Sequence, residues 1–205
     1  MTGVGELRRL EQTLTHVRGF GVALGVAAVA TTPDFPSSAA QRSAWMTVIA
    51  LAIGALAIWG VLGRATTRSQ LTVLSHVAFV FDILIVLTFV WIFAYEIPYV
   101  TWALVVLLPM EGALRHRLPG ALVASAAVAV FMIPQSLRAA TLREVEFEWS
   151  TYIFISGLTF LVAGVVGSMA ENWHEQSVAL ETQSLQLAEV AQLKDQFLAI
   201  TSHEI

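Results

Sequence analysis

The sequence predicts an all-α protein: a polytopic transmembrane bundle of about six spans that continues into a cytoplasmic coiled-coil helix. Three observations carry that prediction. Charged residues make up 13% of the 205 residues and apolar residues 57%, with a mean hydropathy of +0.72, whereas a soluble domain carries about 25% charge to wet its surface. The apolar residues gather into stretches that approach the roughly 20 residues a helix needs to cross a bilayer. Lys and Arg are unequally shared between alternate connections, as the positive-inside rule requires of a multi-span protein.

Residues 1–18 carry Glu6, Arg8, Arg9, Glu11 and Arg18. They read as a partly helical cytoplasmic tail rather than a cleavable signal peptide, whose apolar run would come sooner. The six-span domain is expected over residues 19–170. Its first span, about 19–32, is short and rich in Ala, Gly and Val, and Arg18 is expected to snorkel from its inner end to the headgroups. The second runs from about 44 to 62. The third, about 72–95, contains His76 and Asp82. The fourth, about 97–110, ends at Pro109 and Glu111, and the fifth, about 118–133, lies between Pro119-Gly120 and Pro134. The sixth runs from about 149 to 170. The longest outer connection, 135–148, is charged and suits an interfacial helix.

One set of connections holds Arg8, Arg9, Arg18, Arg64, Arg68, Arg115 and Arg117; the opposite set holds Arg42, Arg138 and Arg143. The richer set belongs inside, which places both termini in the cytoplasm and requires an even number of spans. Five crossings, with the first stretch not spanning, would put the N-terminus outside. Trp45, Trp91, Tyr95, Tyr99, Trp102, Trp149 and Tyr152 fall near outer ends of spans, and Trp59 and Trp173 near inner ends. Such belts suit rings that are apolar with one polar edge.

After residue 170 the character changes. Residues 171–205 are polar, lack Pro and Gly, and are rich in Gln, Glu, Leu and Ala, a composition that favours one continuous helix. Trp173, Leu180 and Leu187 recur every seven residues, Val190 and Phe197 supply a second seam, and Gln176, Gln183 and Lys194 interrupt it. A weakened coiled-coil seam of this kind suits a helix pair that shifts between registers. Residues 171–192 are expected to form this linker, and 193–205 a distinct terminal segment on the same continuous helix.

That last stretch ends Phe197-Leu198-Ala199-Ile200-Thr201-Ser202-His203-Glu204-Ile205. It resembles the H-box of bacterial sensor histidine kinases, in which a Phe and a short apolar run precede Ser-His-Glu on the first dimerisation helix. The resemblance covers about thirteen residues and breaks off before the family's Arg-Thr-Pro, so the chain is expected to be cut inside the H-box. By that resemblance His203 is the phospho-acceptor and Glu204 orients its ring and manages its proton. A neutral imidazole is a good nucleophile near neutral pH, its unperturbed pKa being about 6.5. The family implies protein-histidine kinase activity, ATP and Mg2+ for the complete kinase, a homodimer, a response-regulator receiver domain as partner, and the inner membrane as location. No cofactor is expected within this chain, which shows no Gly-rich ATP-lid motif and is expected to be inactive alone.

In the membrane half Asp82 stands out, because a charge inside a span costs at least about 2.5–3.5 kcal/mol on insertion scales. It is a candidate for sensing or for helix packing. Glu111 is the other candidate; it is spaced i,i+4 from Arg115 and suits capping of a helix end. Glu111 lies in the segment 109–117, which resembles a loop of six-span kinase input modules. His76 lies six residues from Asp82 and points elsewhere on a regular helix. A small transporter or channel with a kinase-like tail is the alternative, weakened by Asp82 being the one deeply placed charge. The same input module feeding a cyclase is a third, opposed by the Ser-His-Glu string. Absence of cysteine excludes disulfides and thiolate chemistry, the five scattered histidines have no zinc spacing, and a net charge of −4 gives no reason to expect nucleic acid.

Overall fold

A computed structural model describes the backbone of residues 2–33, 35–95, 101–144 and 146–203; the side chains of 2, 3, 6, 101, 102 and 195–203 lie outside that description. The described chain is all-helical: α1 (Thr2–Thr31), α2 (Ser38–Arg64), α3 (Arg68–Ile92) followed by a 3-10 turn (Phe93–Tyr95), α4 (Thr101–Arg143) and α5 (Trp149–His203). All five α-helices are long and apolar enough to cross a membrane.

Local chemistry sets the helix ends. The Ser37 hydroxyl accepts from the Ala40 N–H and caps α2. Thr67 and Gln70 cap α3 reciprocally: the Thr67 hydroxyl accepts from the Gln70 N–H and the Gln70 side chain accepts from the Thr67 N–H. Such a box satisfies two donors that helix geometry leaves without partners. Between the two helices, the Arg8 guanidinium donates to the Ala65 carbonyl and ties the start of α1 to the turn.

Three features differ from the sequence expectation. Helix α1 begins at Thr2, and its apolar part spans Leu7–Thr31, so the charged segment expected as a tail belongs to the first long helix. Val4 and Leu7 hold it against the α2–α3 core. The stretches expected as the fourth and fifth spans are two helical arms separated by the break at His116 and Arg117, as their separation in the sequence predicts; what differs is their length, since the first runs through Pro109 and the second through Pro134. Of the expected outer loop, residues 135–143 continue α4, and the Gln135 amide is buried, donating to the Val90 carbonyl at 3.0 Å.

Helix α4 is broken at His116 (φ −133°, ψ 18°) and Arg117 (φ 55°, ψ −145°). Across the break the two arms fold back on each other. Gly112 and Gly120 meet backbone to backbone, and a Cβ on either would overlap the other's carbonyl oxygen. On a continuous helix these positions would stand about 12 Å apart. Pro119 lies in the first turn after the break, where a missing N–H costs nothing.

The apolar packing divides into two assemblies that share α3. On one side α1 and α2 meet it through Val29, Ala44, Val48 and Ile92, and through Ile58, Leu62, Leu71 and Ala78. On the other, both α4 arms and α5 meet it through Phe79, Val90, Val105, Leu108, Val128 and Ile155. Ala113, Ala121 and Ala163 let the α4 turn and α5 approach closely, the small-residue packing typical of membrane helices. The surface is inverted relative to a soluble protein. Met46, Ile49, Ile53 and Leu56 of α2 and Val73, Val77, Val80 and Leu84 of α3 are exposed, while Glu11, Arg18, Asp82 and Arg115 are buried.

Beyond Glu171 helix α5 leaves the bundle, and every residue from 172 to 194 is exposed, including Trp173, Leu180, Leu187 and Val190.

Candidate functional site: a buried ion network between three helices

Glu11 and Arg18 are seven residues apart on α1, two turns along one face. On α3 the seven-residue spacing of Ser75 and Asp82 does the same. Glu111 and Arg115 are i,i+4 on the first arm of α4, ending at its break. These three faces meet.

Arg18 grips Asp82 through two nitrogens: Nε donates to Oδ1 at 2.8 Å and to Oδ2 at 3.0 Å, and Nη2 donates to Oδ2. Its Nη2 is also 3.9 Å from Glu111 Oε1. Arg115 Nε donates to the same Glu111 oxygen at 2.8 Å. Arg115 Nη1 donates to Glu11, to the Ser75 hydroxyl at 2.9 Å and to the Ser75 carbonyl at 3.0 Å. Its Nη2 lies 3.5 Å from Asp82 Oδ2. Side chains of Glu11 and Arg115 are 0% exposed, Arg18 5%, Asp82 10% and Glu111 17%, so water does little to screen these charges.

None of the apolar clusters among the described residues contains side chains from both α1 and α4. The ion network supplies that link. Removing one partner from such a network leaves an uncompensated buried charge, which is costly.

At the rim, the His116 ring lies 4.4 Å from that of His76 and 5.7 Å from Phe79. His76 Nδ1 is 2.7 Å from the Thr72 carbonyl, so that nitrogen carries the proton. On the far side of the break Arg117 donates to Glu171 of α5 at 2.8 Å in a half-exposed pair.

The sequence-predicted residues are thus distributed as follows. Asp82 and Glu111 come together through the two guanidiniums they share. Glu111–Arg115 is the expected i,i+4 pair, but Arg115 is wholly buried and bound to α1 and α3 as well. Arg18 does not snorkel; Asp82 holds it inside because a bidentate carboxylate partner replaces the headgroup region it would otherwise seek. His76 is paired with His116 rather than Asp82. His203 is the last residue of α5, with its side chain outside the description, and Glu204 lies outside the described residues. Trp102's side chain and Tyr99 lie outside it too. Sequence reasoning missed Glu11, Arg18 and Ser75 as members; the signal present was the matching seven-residue spacing on α1 and α3.

Among the described residues no group of three or more His, Cys, Asp or Glu is placed to hold a metal ion. Comparison with protein-family models, curated proteins and solved structures finds no match.

Proposed function

We propose that the chain is the membrane sensor and dimerisation segment of a two-component sensor histidine kinase, passing a membrane-sensed signal to a phospho-accepting histidine. One observation carries the reading: a single helix, α5, runs from the last apolar stretch to the histidine of the Ser202-His203-Glu204 string. A rotation or tilt of a stiff helix in the bundle reaches its far end without an intervening joint. The apolar side chains exposed along that rod, Leu180, Leu187 and Val190, support pairing with a second copy into a dimer. Six crossings follow if both arms of α4 traverse the bilayer, placing both termini on the cytoplasmic face of the inner membrane. The complete kinase would use ATP and Mg2+ and pass the phosphoryl group from His203 to a receiver domain, with Glu204 beside the reacting ring.

The test grafts residues 1–203 in helical register onto the catalytic half of a soluble histidine kinase. Acid-labile phosphate should form in membranes and disappear with His203→Gln. Insertion of one, two, three or four residues between 172 and 190 should make activity oscillate, because each residue turns the helix by about 100°. Activity indifferent to the insertions would count against transmission through α5.

A transporter or channel is the second reading, and the ion network favours it: Asp82 is accompanied by four further buried or half-buried charges. Solute flux in proteoliposomes that disappears with Asp82→Asn would support it over the kinase.

A further inference from the structure

Three carboxylates and two guanidiniums make up the network, Glu11, Asp82 and Glu111 against Arg18 and Arg115. Fully ionised, it would hold a net charge of −1 among apolar helices, a state that low dielectric penalises heavily. Something must supply one positive charge. Among the described residues no third cation from α2 or α5 reaches the cluster and no metal-holding group is found there. His116, the nearest further basic side chain in sequence, faces His76 and Phe79.

We propose that the network is a proton-binding site, and that the Glu111 carboxyl carries one exchangeable proton between the two guanidiniums it shares with Asp82. The pairing pattern selects Glu111. Asp82 is gripped by two nitrogens of Arg18 and approached by Arg115. Glu11 is fully enclosed and bound to Arg115. Glu111 uses one oxygen, Oε1, for its ion pairs, at 2.8 Å to Arg115 and 3.9 Å to Arg18, and it is the most exposed of the three. A proton on its other oxygen leaves those contacts in place and brings the cluster to neutrality. The site also has unspent polar capacity. Glu11 Oε2, Arg18 Nη1 and Arg115 Nη2 are buried without hydrogen-bond partners among the described residues, which gives the network room to re-pair as the proton comes and goes.

Against Glu111 lie Arg18 from α1, Asp82 from α3 and Arg115 from its own helix, with Glu11 and Ser75 held on the Nη1 of Arg115. Loss of the proton restores the net negative charge and pulls both guanidiniums toward Glu111, drawing α1 against the α4 turn. That turn holds α5 through Arg117 and Glu171. Use of this movement for signalling rests on the kinase reading; the proton site itself does not.

Infrared difference spectroscopy on the full chain in lipid nanodiscs tests the site without any kinase assay. A protonated-carboxyl carbonyl band should be present at neutral pH and vanish on alkaline titration. It should shift with 13C-glutamate but not with 13C-aspartate, a result that requires no substitution. Glu111→Gln should abolish the titrating band, and Asp82→Asn should too, since each brings the ionised cluster to zero net charge. Absence of a titrating carboxyl in the unsubstituted chain, a band that follows aspartate labelling, or a band that survives in folded Glu111→Gln would overturn the proposal.

Discussion

Arg18 and Asp82 are 64 residues apart in sequence and joined side by side in the fold. Each is buried, so each depends on the other to offset lost hydration. Arg18→Met or Asp82→Leu alone is expected to cost about 3–5 kcal/mol, because the surviving partner is left charged and unpaired. The double variant should cost less than the sum of the two, by about 1 kcal/mol or more. Denaturant titration of the four proteins in detergent micelles measures this; strict additivity would deny the pairing. The sequence revealed Asp82 as a costly intramembrane charge and Glu111 with Arg115 as neighbours on one helix. It did not reveal that both features answer to Arg18 and Glu11, because that pairing is tertiary and no local pattern encodes which helix lies beside which. A charged stretch ahead of an apolar run reads as a solvated tail, and only contact with α3 and α4 makes it interior.

Among the elements, the α4 hairpin sits at the junction of the site and α5. Its turn carries Arg117 at φ 55°, a left-handed conformation that costs a non-glycine residue about 1–3 kcal/mol. Its arms touch through Gly112 and Gly120. Gly120→Ala should therefore cost about 1–3 kcal/mol by overpacking, whereas Gly63→Ala, whose Cβ would meet nothing within 4 Å, should be neutral or stabilising by up to about 1 kcal/mol through helix propensity. Melting temperatures of the two variants give the comparison, and equal shifts would contradict the close contact. The continuity of α5 was legible, since the stretch after residue 170 lacks Pro and Gly; α2 and α3 start earlier than the apolar stretches at 44 and 72 suggested, because Ser37 caps α2 and Thr67 with Gln70 caps α3. The course of α4 was less legible. Pro109 and Pro134 read as helix ends, yet packing of Leu108, Val128 and Met132 against α3 and α5 holds the helix through them.

At the scale of the whole molecule, two apolar assemblies share α3 and the charges staple α1 to α4. The natural absence of cysteine makes topology open to single-cysteine labelling. If both arms of α4 cross, Thr66→Cys and Glu171→Cys should react with an impermeant maleimide from one side of the membrane, and Ser37→Cys and Glu146→Cys from the other. Labelling of positions 66 and 171 from opposite sides would refute six crossings. The distribution of the five charges also bears on how the chain enters the bilayer during synthesis. Glu111 shares a helix with Arg115, its cation four residues on, whereas Glu11 is made 104 residues before the Arg115 that binds it. Asp82 arrives without one, and it does so on the most apolar of the five helices, where the surrounding side chains offset an insertion penalty of about 2.5–3.5 kcal/mol. Arg18, made earlier, is already in place to receive it. The order of residues along the gene thereby becomes a schedule of biogenesis in which Asp82 meets a cation made before it and Glu11 waits for one made later.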